Sequence, residues 1–213
     1  MQIKAIIFDL GQVLDAPNDP AEAQARRQIL AAKLGLDPAD LWTYLFEGEP
    51  SRRWMTGQIT QEQFWREVVG EKGITDPQEI ELFPRLAFAD TGKMNREMAE
   101  LIGELKGHYL LAVLSNTSWS EDYLKQVLYG EMGLPPGTFD VVVSSKSVGA
   151  TKPNPLIFQH ALKRLAVEPE EAVFTDDLAN FTEAAAKLGI HVHTFTVPAS
   201  LRQYLIDIGV LPV

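Results

Sequence analysis

Five short runs, Ala5–Phe8, Leu110–Leu114, Val141–Val143, Ala172–Thr175 and His191–Phe195, are rich in β-branched and other apolar residues, most of them almost without polar interruption. A strand that is apolar on both faces belongs inside a sheet covered on both sides. The segments between the later runs read as helices. Asn95 opens a stretch that reaches Lys106 and stops at Gly107. Asn154-Pro155 supplies a cap and a first-turn proline ahead of one apolar stripe, Ile157, Phe158, Ala161, Leu162 and Leu165. Thr182 to Leu188 stops at Gly189. Strands that alternate with helices predict an α/β fold with a doubly wound, mostly parallel sheet.

The stretch from Pro17 to Phe88 breaks the alternation, for it contains no convincing strand. Glu22–Leu34 runs into Gly35. Asp37-Pro38 opens a helix holding Leu41, Trp42, Leu45 and Phe46. Thr60 and Gln63 make a capping box ahead of Phe64, Trp65, Val68 and Val69, and Asp76-Pro77 opens another helix. This predicts an α/β core made of residues 1–16 and 89–213, with residues 17–88 inserted after the first strand as a small all-helical cap. A chain of 213 residues suits one such domain with a modest insertion.

Charge and composition exclude several functions. The formal net charge is −10, so the chain has no general basic face for nucleic acid or an anionic membrane. It has no cysteine, which excludes disulfides, thiolate catalysis and cysteine-ligated zinc. The apolar run in MQIKAIIFDL is too short for a signal peptide or a membrane span, so a cytoplasmic protein is expected, as monomer or homodimer. His108, His160, His191 and His193 show no metal-ligand spacing tied to other polar groups and read as structural.

In open parallel sheets ligands bind beyond the carboxyl ends of the strands. After the first run come Asp9, Leu10, Gly11 and Gln12. Ser115, Asn116 and Thr117 follow the second, Ser144 and Ser145 the third with Lys152 shortly beyond, and Asp176 and Asp177 the fourth. Three carboxylates, an ammonium and a hydroxyl/amide pair on one rim suit phosphoryl transfer to a carboxylate. Asp9 can attack phosphorus, splitting one hard displacement into two easier ones. A dianionic ester repels it, so a hard, oxygen-preferring Mg²⁺ seated by Asp9, Asp176 and Asp177 is expected. Lys152 would neutralise charge on phosphate and nucleophile. Ser115 and the amides of Asn116 and Thr117 would bond the phosphoryl oxygens.

This order and spacing resemble the haloacid dehalogenase superfamily of hydrolases over essentially the whole chain. FDLGQVL is similar to its first motif, LSNTS to its second, GATKPNP to its third and VFTDDLANFTEAAAKLGI to its fourth, and the helical insertion sits where that family's first cap class sits. The D-L-G-x-V opening, the S-N-T run and the paired aspartates resemble the branch of bacterial sugar-phosphate phosphatases that includes α-D-glucose-1-phosphate phosphatase. The resemblance implies a Rossmann-like core and a phosphatase acting on a small phosphate ester. Asp9 would be nucleophile and metal ligand, and Ser115 and Lys152 phosphate binders. Asn116 would order the site. Asp177 would be the inner-sphere metal ligand with Asp176 beside it, and the Gly11 carbonyl a backbone ligand.

One position departs from the family pattern. Most family phosphatases carry a second aspartate two residues after the nucleophile, as general acid for the leaving alcohol, and here that position is Gly11. Positioned acid catalysis is worth roughly 10²–10⁴-fold, and its loss weighs less on an acidic leaving group such as an anomeric hydroxyl. Two alternatives therefore stay open: a metal-independent haloacid dehalogenase, and a catalytically silent phosphate-binding protein. In the cap, Arg52, Arg53 and Trp54 are candidate substrate contacts, against the plain reading of a solvated helix face.

Overall fold

The computed structural model describes residues 2–15, 19–89 and 93–212. Strands β1 (Ala5–Phe8), β2 (Leu110–Ser115), β3 (Val141–Ser144), β4 (Ala172–Asp176) and β5 (His191–Thr194) form one five-stranded sheet in the order β3-β2-β1-β4-β5, and every neighbouring pair is parallel. The chain lays β2 and β3 on one side of β1, then crosses to lay β4 and β5 on the other. The order thus reverses between β1 and β4, the point where a crevice opens in sheets of this kind. Three strands run one residue past their apolar runs, because polar residues extend the ladder: Ser115 stands opposite Ser144, and Asp176 opposite Thr194. β5 ends at Thr194, one residue short of the expectation, although the Phe195 amide still donates to the Asp176 carbonyl at 2.8 Å.

Between β1 and the rest of the sheet lie α1 (Pro20–Leu34), α2 (Leu41–Phe46), α3 (Glu49–Met55), α4 (Gln61–Gly70) and α5 (Pro77–Ala87), with no strand among the described residues. α1 starts two residues earlier than the pattern suggested, since the Asp19 carboxylate accepts the Ala21 and Glu22 amides, and it stops at Gly35 in the left-handed region. The capping box of α4 is reciprocal: Thr60 Oγ1 accepts the Gln63 amide and Gln63 Oε1 accepts the Thr60 amide. Asp37-Pro38 does not open α2. The Asp37 carboxylate instead takes the Ala39 amide at 2.8 Å in a turn, and the helix begins at Leu41. The five helices bury their own apolar cluster, including Leu30, Leu41, Leu45, Phe64, Trp65 and Phe83, each at most 1% exposed. The expected boundary between residues 16 and 17 lies outside the described residues.

The other helices are α6 (Arg96–Leu105), α7 (Glu121–Gln126), α8 (Ser145–Val148), α9 (Pro155–Leu165), α10 (Ala179–Ala186) and α11 (Pro198–Asp207). Successive strand residues point to opposite faces. Ile6, Phe8, Leu111, Val113, Val142 and Val173 therefore pack with α6, α7 and α11, and Ala5, Ile7, Ala112, Leu114, Val143 and Phe174 pack with α9 and α10. Each large apolar side chain so buried contributes roughly 1.5–3 kcal/mol. α10 begins at Ala179 rather than Thr182, because the Asp176 carboxylate accepts the Leu178 amide (2.9 Å) and turns the chain directly off the strand. Among the described residues no helix is long and apolar enough to cross a membrane.

Candidate active site

Asp9 leaves β1 with its backbone still in the ladder, for its amide donates to the Thr175 carbonyl at 2.9 Å. Its carboxylate meets the ammonium of Lys152, which arrives on the loop after α8. Nζ of Lys152 donates to Asp9 Oδ1 and to Asp176 Oδ2, each at 2.6 Å, and lies 5.5 Å and 5.2 Å from the rings of Phe174 and Phe181. Asp9, Lys152 and Asp176 are all buried. The loop carrying Lys152 is gripped from β2: Asn116 Oδ1 accepts the Lys152 amide (2.8 Å) and Asn116 Nδ2 donates to the Lys152 carbonyl (3.0 Å). The Lys152–Pro153 peptide bond is cis.

Asp177 completes the charge group. Asp9, Asp176 and Asp177 each offer one carboxylate oxygen within 4.8 Å of the others. Three carboxylates thus share one ammonium in a low-dielectric setting. Burial pushes the Asp9 carboxyl well above its ordinary range; Lys152 opposes this, while Asp176 and Asp177 add to it. Burial and then Asp176 raise the Asp177 carboxyl to about 6. Burial alone would depress Lys152, but Asp176 and Asp9 overcome it and the ammonium is pushed up to about 12. The group carries a surplus of negative charge on hard oxygen donors, which is the condition a divalent cation such as Mg²⁺ satisfies. The donor set therefore fits such an ion.

Asp9, Lys152 and Asp177 line a cavity of about 510 Å³ whose floor also includes Gly11, Ser115, Asn116 and Thr117. Its walls are apolar and aromatic: Trp42, Phe46, Trp54, Phe88, Trp119 and Phe181. Gly11 has φ −65° and ψ 128°, and a Cβ built on it would stand 3.8 Å from Asp9 Oδ2, so neither backbone nor space demands a glycine there.

Some expectations need correction. The Thr117 amide is not available to a phosphoryl oxygen, because it donates to Ser145 Oγ at 2.8 Å. Ser145, fully buried, also lies within donating distance of the Met55 carbonyl on α3 (2.9 Å), joining the helical block to the end of β3. Arg52 and Arg53 do not line the cavity. The Arg52 guanidinium donates to the Glu47 carbonyl, and that of Arg53 pairs with Glu49 (3.4 Å) and Glu67 (2.9 Å), so both serve the surface of α3. Their neighbour Trp54 does line it, stacked on Phe64 at 4.6 Å.

Sequence reasoning missed Asp15 and Trp119 as wall residues.

 Both border the cavity. Asp15 is buried, and its carboxylate accepts the Gln12 amide, which holds Gln12 at φ 59° in the left-handed region. Trp119 follows Ser115-Asn116-Thr117 on the same loop and packs edge-on against Tyr123. Its position two residues beyond the polar run was the one available signal.

Residues 3–189 match the sequence model of the haloacid dehalogenase-like hydrolases. Acyl-CoA dehydrogenase family member 10 of Mus musculus is 36% identical over 198 residues, covering 88% of this chain; the chain spans only 17% of that protein's length. Glyceraldehyde 3-phosphate phosphatase of Methanopyrus kandleri is 30% identical over 196 residues, covering 82% of this chain and 76% of that protein. Among solved structures, an enzyme of the same family from Bacteroides thetaiotaomicron, in complex with magnesium and inorganic phosphate, shares the fold with a TM-score of 0.59 at 20% identity, over 91% of this chain and 94% of that one.

Proposed function

Because the chain belongs to the haloacid dehalogenase-like hydrolases, we propose that it is a Mg²⁺-dependent phosphatase of small phosphomonoesters with Asp9 as nucleophile. The observation that carries this reading is the contact of Asp9 with the buried ammonium of Lys152 at 2.6 Å, with Asp176 and Asp177 beside it. An Asp9 oxygen forms a bond to phosphorus as the ester P–O bond breaks, and the leaving alkoxide takes its proton from water. A second water then attacks the phosphorus of the aspartyl phosphate, releasing phosphate and the free carboxylate. Lys152 holds the charge of nucleophile and phosphoryl group together, and Ser115 with the Asn116 amide binds phosphoryl oxygens. Asn116 positions Lys152 through its backbone. Asp9, Asp177, Asp176 and the Gly11 carbonyl would hold the Mg²⁺, which when bound offsets the repulsion between carboxylate and ester.

The helices α1–α5 act as a cap over this rim, and Trp54 is retained as a substrate contact. The phosphatase named among the relatives and the magnesium-phosphate complex of the Bacteroides enzyme support the reading. Gly11 favours an ester with an acidic leaving group, such as a sugar 1-phosphate, in keeping with the sugar-phosphate phosphatase branch. A cysteine-free chain acting on a small molecule is in keeping with a cytoplasmic monomer or homodimer. A dehalogenase is disfavoured, because three carboxylates sharing one ammonium would repel a carboxylate substrate.

Phosphate release from p-nitrophenyl phosphate and a panel of small esters tests this, with Mg²⁺ or with EDTA, beside Asp9→Asn. Release should require the metal and fall by at least about 10³-fold in the variant. Equal release by the variant would overturn the assignment of Asp9, and EDTA-resistant halide release from a haloacid would favour the dehalogenase.

A further inference from the structure

A second cavity, of about 520 Å³, lies beside the first and shares Gln12, Trp42 and Ala87 with it as a common wall. Its character is different. The first is rich in carboxylates; the second is lined by Arg26 and Arg27 of α1, with Gln24 and Gln28 on the same helix. Two guanidiniums on one cavity run against the net charge of −10. Arg26 pairs with Glu22 at 3.1 Å. Arg27 is held by backbone: Nε donates to the Pro38 carbonyl (2.5 Å) and Nη2 to the Ala39 carbonyl (3.1 Å), with the guanidinium 6.0 Å from the Trp42 ring. No carboxylate pairs with Arg27 among the described residues. A guanidinium fixed by two carbonyls has lost its freedom before any ligand arrives, which lowers the cost of recognising an anion.

We infer that this second cavity receives the far end of the substrate, and that this end carries an anionic group, a carboxylate or a second phosphate, set against Arg27 beside the Trp42 ring. The inference rests on the phosphatase reading, in which the reacting phosphate sits at Asp9 and Lys152. The two cavities adjoin at Gln12, Trp42 and Ala87, and a molecule with an anion at each end would span both.

The test uses straight-chain alkyl phosphates of two to six carbons that end in a carboxylate, a phosphate or a hydroxyl. Wild type, Arg27→Gln and Arg27→Lys are compared with Mg²⁺ present. At one chain length kcat/KM should favour a charged end over the hydroxyl by about tenfold or more, carried by KM, as expected of a charge-assisted hydrogen bond. That preference should vanish in Arg27→Gln and return in part in Arg27→Lys, and the carboxylate and phosphate arms show which anion is meant. Titration calorimetry of the same compounds on Asp9→Asn, alone and combined with Arg27→Gln, reads the preference without turnover. Hydrolysis with no charged-end preference at any length would overturn this inference and leave the phosphatase standing. Tighter binding of charged-ended compounds with no hydrolysis of any ester by wild type would do the reverse.

Discussion

The rim of the sheet and the interior of the helical block are both buried, and they are built on opposite principles. At the rim, Asp9, Lys152 and Asp176 are withdrawn from water, and the lysine's bonds to the two carboxyl groups are directional. Inside the block, Trp54, Phe64, Trp65 and Phe46 lie ring against ring, with centroids 4.6 to 6.4 Å apart, and the cohesion is one of area and shape. Trp65 Nε1 is buried there without a hydrogen-bond partner among the described residues, a cost the apolar contacts around it absorb. The rim by contrast has an excess of carboxylate over ammonium, which a structure selected for stability alone would not keep. One region supplies stability, and the other consumes some of it to stay reactive.

Removing one partner from the rim should have the largest effect. Lys152→Met leaves Asp9 and Asp176 buried without their cation, and chemical denaturation should show a loss of about 3–5 kcal/mol, together with loss of phosphate release. A variant as stable as wild type would mean that the ammonium does not carry the rim. Phe64→Ala attacks the other region. Denaturation should show about 3 kcal/mol lost to the cavity it opens, while metal-dependent phosphate release persists below the melting temperature. If activity fell as far as it does in the lysine variant, the two regions would not be separable.

The smallest effect concerns a half-buried base with no counter-charge among the described residues. His193 on β5 contacts Thr175 Oγ1 at 3.1 Å and packs beside Tyr204, and burial lowers its pKa below the ordinary 6.5. The fold therefore favours the neutral ring. Its contribution is complete above the unfolded value and is lost as pH falls through about 6.5 toward the lower folded pKa. Melting curves from pH 7.5 to 5.5 should fall more steeply for wild type than for His193→Gln. Parallel curves would show that this ring titrates alike in both states.

The legible and illegible parts of the sequence divide along a physical line. Strand ends were readable because a run apolar on both faces must stop where the chain meets solvent or a site. Asp9, Ser115, Asp176 and Asp177 follow such ends directly, and the sheet brings them to one rim. The caps at Thr60 and Asp76 were readable because they act over three residues. What was not readable depends on partners far along the chain. The Thr117 amide is taken by a serine 28 residues away, and nothing local marks Arg53 as paired with Glu67 or Arg27 as a cavity wall. A helix face can be read from periodicity; which neighbour it meets cannot.

Asn116 shows how the sheet's order outlasts its strands. By accepting from the amide and donating to the carbonyl of a single residue, its side chain imitates a peptide group and adds one more rung just past the end of β2. The ammonium thus inherits the stiffness of the backbone ladder even though it rides on a loop. Aspartate, nearly identical in shape, has no donor to complete that rung, so at this position the difference between an amide and an acid is mechanical before it is electrical.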